Sequence, residues 1–572
     1  MISESIIEEL QNNSLTAAWL KLGIISLGLA GVYSVILVIL RTPQLASFFQ
    51  NPEIFKSALI VHVNLSVLVW LLSITASIWS YGLSSKSSLR AVKDRAAIHN
   101  FTRLLRQNLQ FFLAMTLNIY PKLAFLGTIL IAISPIAGQN PVMNNYIPML
   151  ENIIFVLGLS LFGVATLLFA VNTIYYSSFN SRNTSSISLL NRQNWQSLMN
   201  FTILSTAIMF ILTWVCFTCS YLQLQRIIDV IPIEIEFYYE LLFWSGGHLL
   251  QFIYTQILMI IWVMLFEIWL GKKLRFQKFY LFLFWSNFIF SVLIVAGHVF
   301  YDIIDGEFKE YYTSHMKYFG GVAPISCLVG MVLELLFLDS RLRGNDIGSG
   351  NDIKSCTKVT IICSSILFLF GGLIAFSIAG INVVIPAHYH GSIVGISIAG
   401  MGYCYIYSVC DVIPTSHYVI PARAGIRKII VILNLFQNLL KKMLKQVQHN
   451  VRLDSRLRGN DIGSGNDIGS RSDIGSRSDI GSRSDIGSKN DIMSITICIL
   501  TFGQILHITG LALAGGYGVL RKDASPEMSL SAKLLMGMMG GGGLIAIVGG
   551  LMFVFICGKN IFFTKANLKY IR

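Results

Sequence analysis

The chain has 572 residues, 54% hydrophobic and only 13% charged, with a mean hydropathy of +0.65. A soluble globular protein of this size carries roughly twice that share of charge, so a soluble fold is excluded. The formal charge of +14 is no nucleic-acid signal, because the basic residues sit in short loops between apolar runs, where they set membrane topology.

Apolar runs long enough to cross about 30 Å of hydrocarbon occur near residues 17–41, 57–81, 109–134, 151–177, 198–223 and 238–267. Others follow near 276–300, 318–338, 357–378, 382–408, 494–517 and 532–558. Lipid offers backbone polar groups no partners, so each run is predicted to be a helix. The expected fold class is all-α, a polytopic membrane bundle of twelve transmembrane helices. The first dozen residues are acidic and polar (Glu4, Glu8, Glu9), unlike a signal peptide. Cys216, Cys219, Cys363, Cys404 and Cys498 read as packing residues in apolar runs.

Loop charge predicts the orientation. The 82–108 loop carries Lys86, Arg90, Lys93, Arg95, Arg103 and Arg106, and the 268–278 loop carries Lys272, Lys273, Arg275 and Lys278. The tail holds Lys559, Lys565, Lys569 and Arg572, whereas the 135–150 loop has no Lys or Arg. The positive-inside rule makes the basic loops and both termini cytoplasmic, in a bacterial inner membrane.

Two segments break the pattern. Asp339–Ile353 recurs almost unchanged at Asp454–Ile468, and the second copy runs into repeated Gly-Ser-Arg-Ser-Asp-Ile units. Such sequence has too little apolar surface to fold alone. Upstream, Lys428–Val447 has the pattern of a basic amphipathic helix on the membrane surface. The 412–492 region resembles the palindromic repetitive elements that insert in frame into genes of some obligately intracellular bacteria. The expected organisation is helices 1–8 in 1–338, a short polar insertion at 339–356, helices 9–10 in 357–411, the low-complexity insertion at 412–492 and helices 11–12 in 493–572. His417 and His449 lie in inserted material and are discounted as ligands.

Histidines inside membrane segments are rare and by default mark function. The predicted topology sets His62 on the second helix, His248 on the sixth, His298 on the seventh, and His388 and His390 on the tenth, all in the outer half of the membrane. Neutral imidazole is a common ligand for iron and copper. His388 and His390, two apart, point roughly 200° from each other around a helix, so one segment can serve two sites. His507 reads as a structural residue and His315 as a loop residue beside Glu310 and Lys317. The run Met539-Gly540-Gly541-Gly542-Gly543 lies in an apolar helix and reads as a close-packing surface rather than a phosphate loop.

With its twelve helices and Pro386-Ala387-His388-Tyr389-His390-Gly391 on the tenth, the chain resembles the catalytic subunit I of the heme-copper oxidase superfamily. The resemblance implies two hemes. His388 would hold the high-spin heme, and His390 would pair with His62 on the low-spin one. Trp244-Ser245-Gly246-Gly247-His248 and Ala296-Gly297-His298 are similar to the motifs that bind a second metal, copper or non-heme iron. Gly297 stands where the family has another histidine, and Phe252 where most respiratory members have a tyrosine. Gln251 is a further candidate oxygen ligand or a polar packing residue. Arg521-Lys522 matches a basic pair that binds heme propionates; an interfacial anchor is the plain alternative.

The implied activity is terminal respiratory reduction of O2 to water. A nitric oxide reductase, or a degenerate heme-binding electron carrier without a working binuclear centre, is the alternative. Partners would be an electron-donor subunit, or cytochrome c or quinol, with a diatomic gas as substrate. A secondary transporter requires inverted repeats and helices broken at the midplane, and neither is seen. Reporter fusions test the topology: a fusion near residue 140 should report the periplasm and one near 275 the cytoplasm, and the reverse pattern would overturn it.

Overall fold

A computed structural model describes residues 14–41, 52–83, 117–183, 195–337, 351–378, 382–410, 489–518 and 530–563. All belong to the unit formed by 1–412 and 487–572. The helices in chain order are α1 (Ser14–Arg41) and α2, which is Pro52–Val63 and Trp70–Leu83 joined by the π-helical turn Asn64–Val69. After α3 (Tyr120–Ile133), a loop carries the short antiparallel strands β1 (Pro141–Val142) and β2 (Met149–Leu150). Next come α4 (Ile153–Asn183), α5 (Trp195–Ile227), α6 (Ile235–Leu270), and α7 (Gln277–Leu293), which is extended by short turns to Phe300. The series ends with α8 (Gly306–Phe319 continued by Val322–Leu336), α9 (Asn351–Ala375), α10 (Val384–Cys410), α11 (Lys489–Gly516) and α12 (Leu530–Phe563).

Eleven helical spans among the described residues are long and apolar enough to cross a membrane. With 27 residues, α10 spans about 40 Å at 1.5 Å per residue and makes the twelfth. The surface turned outward is itself apolar, with Val32, Phe282, Trp285, Ile289, Leu373 and Phe555 exposed, as lipid-facing helices require. The chain is a multi-pass, all-α membrane bundle.

The core is built around α6, buried almost continuously from Leu249 to Ile268. Polar side chains fasten its neighbours to it. Trp262 Nε1 donates to Ser364 Oγ at 2.9 Å, and Ser364 donates to the Gly395 carbonyl at 2.7 Å, linking α6, α9 and α10. On the opposite side Gln256 donates to Ser205, and Asn287 donates to the Gln256 carboxamide and the Phe252 carbonyl. Glu267, buried at the end of α6, accepts from the Leu274 backbone N–H at 3.2 Å. It thereby holds the turn that Gly271 makes at φ 68°.

Two boundaries differ from expectation. The eighth helix begins at Gly306 rather than near 318, so His315 is not a loop residue but a buried one on α8. Phe308, Tyr312 and His315 fall at i, i+4 and i+7 on the buried face, while Glu307, Glu310 and Lys317 face away. That amphipathic pattern has too many charges to register as a membrane run. Helix α9 begins at Asn351, within the stretch read as polar insertion. Residues 84–108, Lys565, Lys569, Arg572, Lys428–Val447, His417, His449 and Arg521-Lys522 lie outside the described residues, whereas Lys559 is on α12.

Helices α9 and α10 cross at glycine. A Cβ on Gly391 would strike the Gly371 backbone, and one on Gly371 would strike the Gly391 and Ser392 backbones. Backbone atoms cannot step aside as a flexible side chain does, so this contact admits only glycine. Gly391→Leu should cost about 1–3 kcal/mol of stability through overpacking, measured by thermal unfolding in detergent. A substitution at Gly372, where a Cβ meets nothing within 4 Å, should be near neutral.

Candidate functional site

Two of the predicted ligands share one local device. His62 Nδ1 lies 3.0 Å from the Ala30 carbonyl and 3.0 Å from Ser34 Oγ, both on α1. His388 Nδ1 lies 2.8 Å from the Gly371 carbonyl on α9. A carbonyl can only accept, so each Nδ1 carries the proton and each Nε2 carries a lone pair. The glycine crossing of α9 and α10 is what brings the Gly371 carbonyl within reach. His62 closes the first part of α2, about three turns in, immediately before the π-helical turn, a distortion that often accompanies functional sites. His390, the second member of the pair, lies with its ring centroid 4.6 Å from that of His507 on α11.

Parallel packing sets these side chains at one level. A Cβ on Gly400 of α10 would lie 3.5 Å from both Trp70 and Ile74 of α2. That contact is eight residues past His62 and ten past His390, about 12 and 15 Å along the axes. The rings of His62, His388 and His390 are all half-buried, so each retains accessible surface for a planar group.

The sixth- and seventh-helix histidines are arranged differently. His248 donates from Nδ1 to the Trp244 carbonyl at 2.7 Å, so its Nε2 accepts from the Tyr146 hydroxyl at 2.6 Å. Tyr146 belongs to the β1–β2 loop. Its backbone N–H donates to Asn144 Oδ1 at 2.9 Å, and Asn64 beside His62 donates to the Pro148 carbonyl at 2.8 Å. The loop is thereby pinned over the bundle, with the Tyr146 ring on Gly247, where a Cβ would collide with it. His298 has Gln223 Oε1 3.1 Å from Nδ1 and Ser245 Oγ 2.9 Å from Nε2.

Tyr312 stands between the two. Its ring centroid is 5.8 Å from that of His248 and 6.0 Å from that of His298. A Cβ on Gly297 would lie 2.6 Å from its hydroxyl. The missing histidine thus leaves no empty space, because α8 fills it with a tyrosine whose buried hydroxyl has no hydrogen-bond partner among the described residues. Phe252 packs against the His315 ring at 5.7 Å, and His315 donates from Nε2 to the Phe290 carbonyl at 2.8 Å.

These positions decide which groups the residues fit. His62 and His388 suit heme iron: one ring nitrogen is fixed by a carbonyl and the other presents its lone pair. The contacts of His248 and His298 are of another kind. Hydroxyls engage both Nε2 atoms, Tyr312 occupies the third position, and no cluster of three or more His, Cys, Asp or Glu among the described residues forms a metal site. Cys216 and Cys219, three apart on α5, are both free thiols. Sequence reasoning missed Tyr146, Tyr312, Ser245 and Gln223, which come from a loop and from helices distant in the chain.

Comparison with known proteins agrees with this architecture. The fold is shared with a solved heme-copper terminal oxidase dimer, with a TM-score of 0.56 and 12% identity over 96% of this chain and 84% of that one. The likeness is one of fold, a multi-pass bundle of membrane helices. No family model matches the chain. It is 51% identical to an uncharacterized protein of Rickettsia prowazekii (strain Madrid E) over 98% of both chains, and it belongs to that protein's family. An uncharacterized protein of Aquifex aeolicus (strain VF5) is 23% identical over 68% of this chain and 83% of its own length.

Tyr146→Phe removes the donor that satisfies His248 and should destabilise the protein by about 1–3 kcal/mol, read by thermal unfolding in detergent.

Proposed function

We propose that the chain is a membrane oxidoreductase of the heme-copper oxidase superfamily, built to hold two hemes and to reduce a diatomic gas, O2 foremost. The observation that carries this reading is the shared arrangement of His62 and His388, each with Nδ1–H on a backbone carbonyl and Nε2 left to bind iron. When bound, the hemes supply one-electron transfer where two imidazoles ligate and gas binding where one does. His62 and His390 supply the two imidazoles, and His388 supplies the single one. Arg521 and Lys522 are proposed to neutralise heme propionates.

Tyr146, with the loop pinned by Asn64, covers His248, and Tyr312 fills the space beside Gly297. These residues set hydroxyls against and beside His248, which supports a heme site without a second metal ion. They also favour one alternative, an electron carrier that binds heme but turns over no gas. Among the gases, nitric oxide is the substrate next in line. Electrons would come from a partner, either a donor subunit or cytochrome c or quinol, and the chain would lie in the bacterial inner membrane with both termini cytoplasmic.

Optical spectra with and without carbon monoxide test the proposal. Two hemes per chain are expected, one of them low-spin and the other carbon-monoxide-reactive. His388→Ala should abolish carbon monoxide binding while sparing the low-spin bands, and His62→Ala should abolish the low-spin bands. Absence of heme would refute the proposal. Oxygen and nitric oxide consumption then separate an oxidase, a nitric oxide reductase and an inert carrier.

A further inference from the structure

Two features read from the sequence as structural, His507 and the glycine run at 540–543, meet each other, and His507 in turn lies against the ring of His390. A Cβ on Gly542 would collide with the His507 backbone, and one on Gly543 would lie 3.2 Å from His507 Nδ1. The glycines therefore let α12 approach α11 closely enough for the Met539 carbonyl to accept from His507 Nδ1–H at 2.9 Å. His507 is thereby locked as the tautomer whose Nε2 bears the lone pair. Its ring lies 4.6 Å from that of His390, at 62°. Imidazoles inclined this steeply at this separation can bring an N–H of one to the lone pair or π-face of the other.

We propose that His507 is the positioning residue for the α10 ligand of the low-spin heme, accepting the Nδ1–H of His390 so that His390 Nε2 faces the iron. The proposal rests on the reading of His390 as a heme ligand. It distinguishes the two axial positions chemically. His62 gives its N–H to a backbone carbonyl, whereas His390 gives its own to an imidazole nitrogen, a more basic acceptor. A stronger acceptor on the distal nitrogen makes a histidine ligand more basic, and a more basic ligand stabilises ferric over ferrous iron. His507 would thus hold down the potential of the heme that receives electrons.

The test uses the full-length purified protein with its hemes and reads the midpoint potential and ferric electron paramagnetic resonance spectrum of the low-spin heme. His507→Phe keeps a ring but removes the acceptor. It should shift the midpoint potential upward and move the outermost g-value, with six-coordination retained. His507→Gln restores an acceptor and should stay near the parent. Gly543→Ala, which crowds the locked nitrogen, should shift both readouts in the direction of His507→Phe, and it serves where His507→Phe fails to fold. Parent-like values in His507→Phe, or equal shifts in the Phe and Gln variants, would overturn the proposal. So would loss of six-coordination in His507→Phe, since His507 would then be the ligand itself. A parent protein without a low-spin heme sensitive to His62→Ala would instead overturn the heme reading on which this rests.

Discussion

Every imidazole inside a hydrocarbon layer must place its N–H on an acceptor, and in this bundle that acceptor is repeatedly a backbone carbonyl. His62 uses Ala30, His388 uses Gly371, His507 uses Met539 and His248 uses Trp244. Three of those carbonyls belong to a neighbouring helix. A helix carbonyl is already committed to its own i+4 N–H, and a second donor reaches it only where the backbones run close. Small residues make that approach possible: Ala30 itself, the Gly371–Gly391 crossing, and Gly542 with Gly543. Helix packing and imidazole tautomer are therefore one constraint. The packing that stabilises the bundle in lipid, where no hydrophobic force draws helices together, also decides which ring nitrogen faces inward.

The same requirement accounts for the pocket around His248. A buried histidine without a metal on Nε2 needs a donor there, and Tyr146 provides it from outside the bundle. Its loop is anchored through Asn64, two residues from His62, so one short segment touches both halves of the candidate site. Tyr312, brought by the amphipathic start of α8, closes the remaining space beside Gly297. Gly297 and Phe252 thus each pack against a ring from one helix, Tyr312 and His315 of α8.

Much of the fold was legible because the membrane imposes it. Twelve apolar runs specify twelve helices, since lipid permits no other state for the backbone, and the structure departs from them mainly where charge hides an amphipathic turn, as at residues 306–319. The His-x-His spacing on α10 was legible for a similar reason: helix geometry alone sends two such side chains to opposite sides. His507 was not, because a single histidine in an apolar run says nothing about its neighbour across the helix pair. Its meaning depends on the Met539 carbonyl, 32 residues away.

By itself, then, the sequence determined the membrane class, the approximate helix count and which helices carry histidines, all of which follow from local hydropathy and helical period. Only the tertiary structure decided which nitrogen of each imidazole is available and which hydroxyls fill the space beside Gly297. It also brought His507 against His390. Those outcomes turn on distances of about 3 Å between groups remote in the chain, set by where glycine lets two backbones meet, and no periodicity in the sequence encodes them.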